Sequence, residues 1–318
     1  MKNRVSQTFL SLIVIFAVAI SSCTRREASS VRMAYPPIVA SLPLFVAEDQ
    51  QLFNSQGITL EKRSFANSND MVNAIVAGQV DVLPAVSLIP IIQLEIQYPG
   101  RVRLFSHSRM RSTNAFDSVI VMEQSQITRL QDLAGKKVGV FPGTSATNMF
   151  RAFLRKHGVD PQNVTFVQLA PPAQLSSLQS GAVDALFTYE PVTTTAIRNG
   201  GYRTLFGSVY ADLLDPCPIG ASVIAREFER RQPAAASRAI SVIDRAVVFM
   251  REHPAEAKGL LPRFTELPAD VASSVNVVDV TLSTENDVAN LQRFIDLLFE
   301  VGEIPQRIDA RRLVEPTR

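Results

Sequence analysis

The sequence predicts an α/β protein made of two lobes, each assembled from the same β–α units. Three observations carry this. AIVAGQVDVLPAV, from Ala74, aligns with SLQSGAVDALFTY, from Ser177, so that Gly78, Val80, Asp81 and Leu83 correspond to Gly181, Val183, Asp184 and Leu186. Two copies exclude a short-period solenoid; the alternative to a true repeat is that helix–Gly–strand junctions look alike in any α/β protein. Second, Val138–Phe141 is a short apolar run with the pattern of a buried strand. Pro142-Gly143 breaks it, Thr144 or Ser145 can cap the next segment, and Met149, Phe150, Phe153 and Leu154 recur at helical spacing until Gly158. Third, Asn114–Met122 and Asp215–Ala221 read as two crossings between lobes, a two-segment hinge suited to closure around a ligand.

The chain has 318 residues, enough for two domains of ordinary size, and its 46% hydrophobic content supports sizeable cores. Charged residues are 19%, with 32 basic against 30 acidic and a net charge of +2. That balance lacks the clustered basic charge of a nucleic-acid binder. Cys23 and Cys217 are the two cysteines. Cys217, in Pro216-Cys217-Pro218 with no histidine nearby, reads as a buried structural thiol.

The N-terminus reads as an export signal. Lys2 and Arg4 form a positive region, Phe9–Ile20 is apolar and shorter than a typical spanning helix, and Ser21-Ser22-Cys23 come next. Ile20-Ser21-Ser22-Cys23 resembles the bacterial lipobox, which implies cleavage before Cys23 and acylation of its thiol. A plain signal peptide cut elsewhere, or an uncleaved anchor, is the alternative. Residues 1–22 are thus a lipoprotein signal peptide and 23–30 a tether; 31–115 with 219–318 form lobe I and 116–218 lobe II.

Along the chain, Val31–Ala34 begins the first strand and Tyr35-Pro36-Pro37 ends it; Leu42, Leu44, Phe45, Val46, Leu52 and Phe53 make a helical face closed by Gly57. Ile58–Phe65 is a second strand. Ser68 caps a helix with Met71, Val72, Ile75 and Val76 on one face, Val80–Val86 is a third strand, and Ser87 caps the helix of Ile89, Ile91, Ile92 and Leu94. Val102–Ser106 and Ser118–Met122 are strands, with a short helix over Ile127–Leu133. Ala221–Ile224 is a further strand, and the remainder reads as helical: Ala234–Phe249, Pro254–Leu261, and a last helix capped by Thr284.

Taken together, Asp132-Leu133-Ala134-Gly135-Lys136-Lys137-Val138-Gly139-Val140, Gly143-Thr144, Gly158-Val159-Asp160-Pro161, Gly181-Ala182-Val183-Asp184-Ala185 and Glu190-Pro191 resemble the substrate-binding proteins of ABC transporters for nitrate, sulfonates, taurine and thiamine-pyrimidine precursors, the NMT1/THI5-like family. Leu42-Pro43-Leu44-Phe45-Val46-Ala47, Arg226-Glu227-Phe228 and His253-Pro254-Ala255-Glu256-Ala257 extend the resemblance over about Val31 to Leu261. Tyr189 stands where family members often have Trp, and Gln50-Gln51 stands where a Lys-Gly or similar pair often precedes Leu-Phe. The resemblance implies a type II periplasmic-binding-protein-like fold with a ligand cleft between the lobes. It further implies a monomer, lipid-anchored to the bacterial membrane and facing the periplasm or exterior, that hands a small anionic or heteroaromatic solute to an ABC permease and its ATPase. No cofactor, metal or nucleic acid is implied. The alternatives are an enzyme on the same fold, of pyrimidine-precursor or menaquinone type, and a ligand sensor without transport.

The cleft residues this implies are Tyr35, Ser41, Leu42, Asn67, Ser68, Ser87, Gly143, Thr144, Ser145, Ala146, Tyr189 and Glu190. General rules agree, since α/β folds bind ligands beyond the carboxyl ends of their strands. Gly143–Ala146 is the candidate anion site, because the free N–H groups and dipole of a helix N-terminus favour an oxyanion; an ordinary capped turn is the alternative. Arg109 and Arg111, expected just after a strand end, suit a sulfonate or carboxylate or else are solvated loop residues. Glu190 caps the next helix or takes a bond from a ligand amine. Tyr35 and Tyr189 stack on a flat ligand or fill the lobe interface. Asp81 and Asp184 read as structural, bonding a neighbouring turn. His107, His157 and His253 make no metal-type spacing, and no catalytic constellation emerges.

Overall fold

The computed structural model describes residues 29–315, apart from the side chain of Thr144. The export signal and Cys23 lie outside the described residues. The strands are β1 (Ser29–Tyr35), β2 (Ile58–Ser64), β3 (Val82–Ser87), β4 (Val102–Met110), β5 (Asp117–Met122), β6 (Lys137–Val140), β7 (Thr165–Gln168), β8 (Ala185–Tyr189), β9 (Tyr202–Gly207), β10 (Cys217–Ala225) and β11 (Asp279–Val280). They form two sheets, ordered β11-β4-β10-β3-β1-β2 and β7-β6-β8-β5-β9. In the first, β1 is parallel to β2 and β3, while β10 is antiparallel to both β3 and β4. In the second, β6 is parallel to β7 and β8, and β5 is antiparallel to β8 and β9.

Helices cover both sheets because their apolar spacing demands it. Leu42–Asp49 buries every residue from Leu42 to Ala47, and Pro233–Glu252 packs on it and on β1 with Ala239, Val242, Ile243 and Ala246 inward. On the second sheet, Thr144–Lys156 buries Met149, Phe150, Phe153 and Leu154, and Phe150 stacks on Phe187 of β8 with ring centroids 4.7 Å apart.

The doubled unit is visible residue by residue. The N–H of Asp81 bonds the carbonyl of Arg32 on β1, and the N–H of Asp184 bonds the carbonyl of Lys137 on β6, each at 2.8 Å. Each carboxylate then accepts the N–H of the same strand residue, at 3.0 Å from Arg32 and 2.8 Å from Lys137. Both aspartates therefore lock a helix–Gly–strand junction to the neighbouring parallel strand, the structural task expected of them. Asp81 additionally holds the Arg32 guanidinium at 2.6 Å.

The chain passes from one sheet to the other twice, at 111–116 between β4 and β5 and at 208–216 between β9 and β10. Asp117 ties the two passages together. Its carbonyl accepts the N–H of Ser208 at 2.8 Å, and its carboxylate accepts the N–H of Tyr210 at 3.1 Å. Burial lifts the Asp117 pKa to about 7, against partial relief from backbone N–H groups. Cys217 is a free, fully buried thiol, and burial raises its pKa.

Several boundaries differ from expectation. β4 runs to Met110, so Arg109 lies on the strand and only Arg111 comes after it. The polar stretch Ser106–Arg109 is held by β10 and by β11, a strand in the tail expected to be helical. The N-caps are Asn67 rather than Ser68 and Asp287 rather than Thr284, each bonding the N–H three residues on. β6 stops at Val140, leaving Phe141 exposed. Over 127–133 a 3-10 turn, Leu130–Leu133, replaces a helix. The segment 254–261 divides into helices Pro254–Gly259 and Leu261–Phe264, and Arg311–Val314 adds a final turn beyond the expected elements.

Candidate functional site

All the predicted ligand-binding residues except Arg109 and Arg111 lie at or just beyond the carboxyl ends of parallel strands. In the first sheet, Tyr35 ends β1 and Ser87 ends β3; in the second, Gly143 lies just beyond β6 and Tyr189 ends β8. A parallel strand followed by a helix puts a backbone turn and a helix N-terminus at the same end of the sheet, which is why two such units supply two polar rims.

On the second sheet, Phe141 to Gly143 are exposed and Gly143 has φ of 110°, a conformation that disfavours any residue with a Cβ. Gly143 occupies the N-cap position without a capping side chain, and its N–H donates to Gln168 Oε1 at 3.2 Å. Thr144 opens the helix and Ala146 is buried. Ser145 Oγ donates to Glu303 Oε1 at 2.5 Å, and Asn148 Nδ2 donates to Glu303 Oε2 at 2.8 Å. Neither Asn148 nor Glu303 is among the residues that sequence reasoning selects. The (i, i+3) spacing of Ser145 and Asn148 places them on one helix face and is the signal that points to Asn148. Glu303 lies 158 residues from Ser145, so no local pattern announces it.

Phe141 meets the Tyr189 ring edge-on at 5.9 Å. The Tyr189 hydroxyl is 3.1 Å from that of Tyr210, and burial holds both phenols well above their ordinary pKa. Glu190 is 7% exposed and turned into the fold. Its carboxylate accepts the Thr194 N–H at 3.1 Å and the Thr194 hydroxyl at 2.9 Å, which makes it a cap of the helix Val192–Asn199; burial raises its pKa.

On the first sheet, Tyr35 packs against Phe45 at 5.9 Å, with the Lys62 ammonium 5.8 Å above its ring. Ser41 is buried and donates to the Pro36 carbonyl at 2.6 Å, which shapes the turn after β1; Leu42 is core. Ser68 Oγ accepts the Ser87 N–H at 3.1 Å, joining two predicted residues across the β3 end. Asn67 caps its helix and also donates to Asp70 Oδ2 at 2.9 Å. Arg109 and Arg111 converge elsewhere: both bind Asp279 Oδ2, at 2.7 and 2.9 Å, which fastens β11 to the sheet. A surface groove of about 430 Å³ between the helices Ser68–Val76 and Leu88–Gln97 is lined by none of the predicted residues. No group of three or more metal-ligating side chains occurs among the described residues.

Two sheets linked by two passages, with polar turns at their strand ends, define the class: a two-lobed α/β fold of the kind found in periplasmic binding proteins. The protein belongs to the NMT1/THI5-like family, whose model matches residues 39–257. A protein of Escherichia coli (strain K12) whose name refers to aliphatic sulfonates binding is 25% identical over 333 aligned positions, spanning 100% of this chain and 98% of that one. One of Bacillus subtilis (strain 168) with the same name is 27% identical over 204 residues, 63% of this chain and 60% of that relative, so the match spans less than two thirds of its length. Among solved structures, the periplasmic aliphatic sulphonate binding protein SsuA from Escherichia coli superposes with a TM-score of 0.75 at 21% identity, covering 90% of this chain and 97% of that one. The fold is also that of the desulfurization enzyme DSZB, with a TM-score of 0.69 at 15% identity over 91% of this chain and 96% of that one.

Proposed function

We propose that this protein is an extracytoplasmic solute-binding protein that captures a small anionic solute by closing its lobes and delivers it to an ABC permease and its ATPase. The sulfonate and taurine class leads, because a relative spanning the chain carries a sulfonate-binding name and a taurine-binding periplasmic protein of Escherichia coli (strain K12) matches over 65% of it. Nitrate and pyrimidine precursors complete the class. The observation that carries the proposal is the Gly143–Ala146 turn, which opens a 13-residue helix at the end of β6. Its first-turn N–H groups, the Ser145 hydroxyl and roughly half a positive charge of helix dipole suit an oxyanion without a lysine. Tyr35, Asn67, Ser68, Ser87 and Tyr189 complete the cleft. Arg109, Arg111 and Glu190, each bound to the fold, are assigned to its support.

The lobes are assigned to residues 31–115 with 219–318 and to 116–218, the two passages acting as the hinge. The ISSC sequence motivates export and lipidation at Cys23, and the family resemblance motivates a monomer; a single acyl chain binds only marginally, so firm anchoring takes two or more. Mass spectrometry of the membrane fraction is expected to find a lipid-modified peptide beginning at Cys23. The function is tested by thermal shift over alkanesulfonates, taurine, nitrate and pyrimidines. A true ligand at a hundred times its Kd stabilises the folded state by about 2.7 kcal/mol. A panel with no shift at all would remove the proposal.

A further inference from the structure

Glu303 is anchored in the first lobe and reaches into the second. Its N–H donates to the Leu298 carbonyl at 2.8 Å and its carbonyl accepts Gln93 Nε2 at 3.4 Å. Both partners belong to helices packed on the first sheet, Leu88–Gln97 against β10 and Val288–Glu300 also against β10. The side chain crosses to the helix Thr144–Lys156 of the second sheet, where one oxygen takes Ser145 Oγ and the other takes Asn148 Nδ2. The residue is 8% exposed. Its carboxylate thus lies at the positive end of a helix dipole, on donors that an incoming oxyanion would use.

Resting on the function proposed above, we propose that Glu303 is a resident competitor of the ligand: it occupies the Ser145 and Asn148 donors in the ligand-free protein, and an anionic solute binds there only by displacing it. Physical chemistry leaves no shared occupancy. A carboxylate and a sulfonate on the same two donors would stand within a few ångströms of each other and repel, at donors that are half-buried and so screened less than at an open surface. The ligand must therefore break two hydrogen bonds between the lobes before it makes its own. The bound affinity is lowered by the fraction of time the site stands occupied by Glu303. The displacement cost falls alike on every anion that uses these donors, so it lowers all their affinities without changing their ranking.

The test uses the full chain, with alkanesulfonates of increasing length, taurine and nitrate as probes. Wild type and Glu303→Gln are compared by calorimetry, and their ligand-free radii of gyration by small-angle scattering. The expected results are at least tenfold tighter binding of anions by Glu303→Gln and a larger ligand-free radius, because a neutral amide neither competes nor clamps as a carboxylate does. Equal or weaker binding of anions by the variant would overturn the proposal and make Glu303 a ligand contact or a plain clamp. If neither protein binds any anion tested, the functional proposal fails and takes the competitor with it, whereas anion binding of equal strength by both proteins removes the competitor alone. Asn148→Asp guards against misfolding of the first variant. It places a carboxylate opposite Glu303 from the other lobe and is expected to give the same expansion.

Discussion

Asp117 is the residue whose chemistry is least at ease with its position. An aspartate in water titrates near 4, and this one is lifted to about 7 because it is almost fully withdrawn from solvent. The sign comes from linkage. Between about pH 4 and pH 7 the folded protein holds a proton that the unfolded chain has released, so stability falls as pH rises through that window and is flat above it. The slope from this one group reaches about 1.4 kcal/mol per pH unit. Thermal melts of Asp117→Asn from pH 5 to 8 are expected to lack that component. An unchanged slope would show that the carboxyl is not protonated when folded. Little of this is visible in sequence, because Asp117 opens an ordinary strand and its carboxylate meets the Tyr210 N–H, 93 residues away, only in the fold. Asp81 and Asp184 are legible for the opposite reason. Their repeat places them in the same local context twice, and a local context is what a sequence displays.

At the scale of elements, the informative part is the β6 turn and its helix. Thr144→Ala with Ser145→Ala, made in a Glu303→Gln background so that the resident carboxylate does not confuse the outcome, is expected to weaken anion binding by at least tenfold. One lost hydrogen bond to a charged group costs about 1.5–3 kcal/mol. Calorimetry reads the loss, and a melting curve checks that the fold is retained. Immediately before the turn, Gly139 answers to packing. A Cβ there would stand 2.5 Å from Leu186 Cδ2 and 2.8 Å from Leu169 Cδ1. Gly139→Ala is expected to cost about 1–3 kcal/mol by overpacking in urea denaturation, since Leu186 is fully buried. The apolar helices and most strands of both sheets are legible from periodicity. The far end of β4 is not, because His107, Ser108 and Arg109, beyond the expected strand Val102–Ser106, spell a loop by composition. What makes them a strand is partners from other parts of the chain, including Thr281, whose hydroxyl takes the His107 N–H at 2.9 Å.

At the scale of the whole molecule, the expected motion is closure about the two passages. Each passage is short and hydrogen-bonded to the other through Asp117, Ser208 and the Arg111 carbonyl, which accepts Ser208 Oγ at 3.1 Å. Under the proposed function this pair of segments is expected to bend together, as a hinge made of a few residues does. Scattering with a confirmed ligand at saturation is expected to give a smaller radius of gyration than without it for Glu303→Gln, in which the clamp is absent. No change would argue against closure. The lobed plan is legible from the repeat and the family resemblance together, whereas the bond between lobes is not, since a single glutamate in a tail carries no pattern.

The place of β10 has a consequence for how the molecule is made. It is the strand between β3 and β4, yet it begins at Cys217, after the whole second sheet has been synthesised. Until it arrives, β3 and β4 have no common neighbour and present open edges, the state in which strands join the wrong partner. The second sheet, by contrast, lies within one continuous segment and pays a lower loop-closure cost. The interrupted lobe is thus the late one: residues 116–216 expressed alone are expected to fold, and residues 29–115 alone to aggregate, as circular dichroism and sedimentation would report. The first-made part of the chain thus cannot complete its sheet until β10, made after the whole second sheet, has been released.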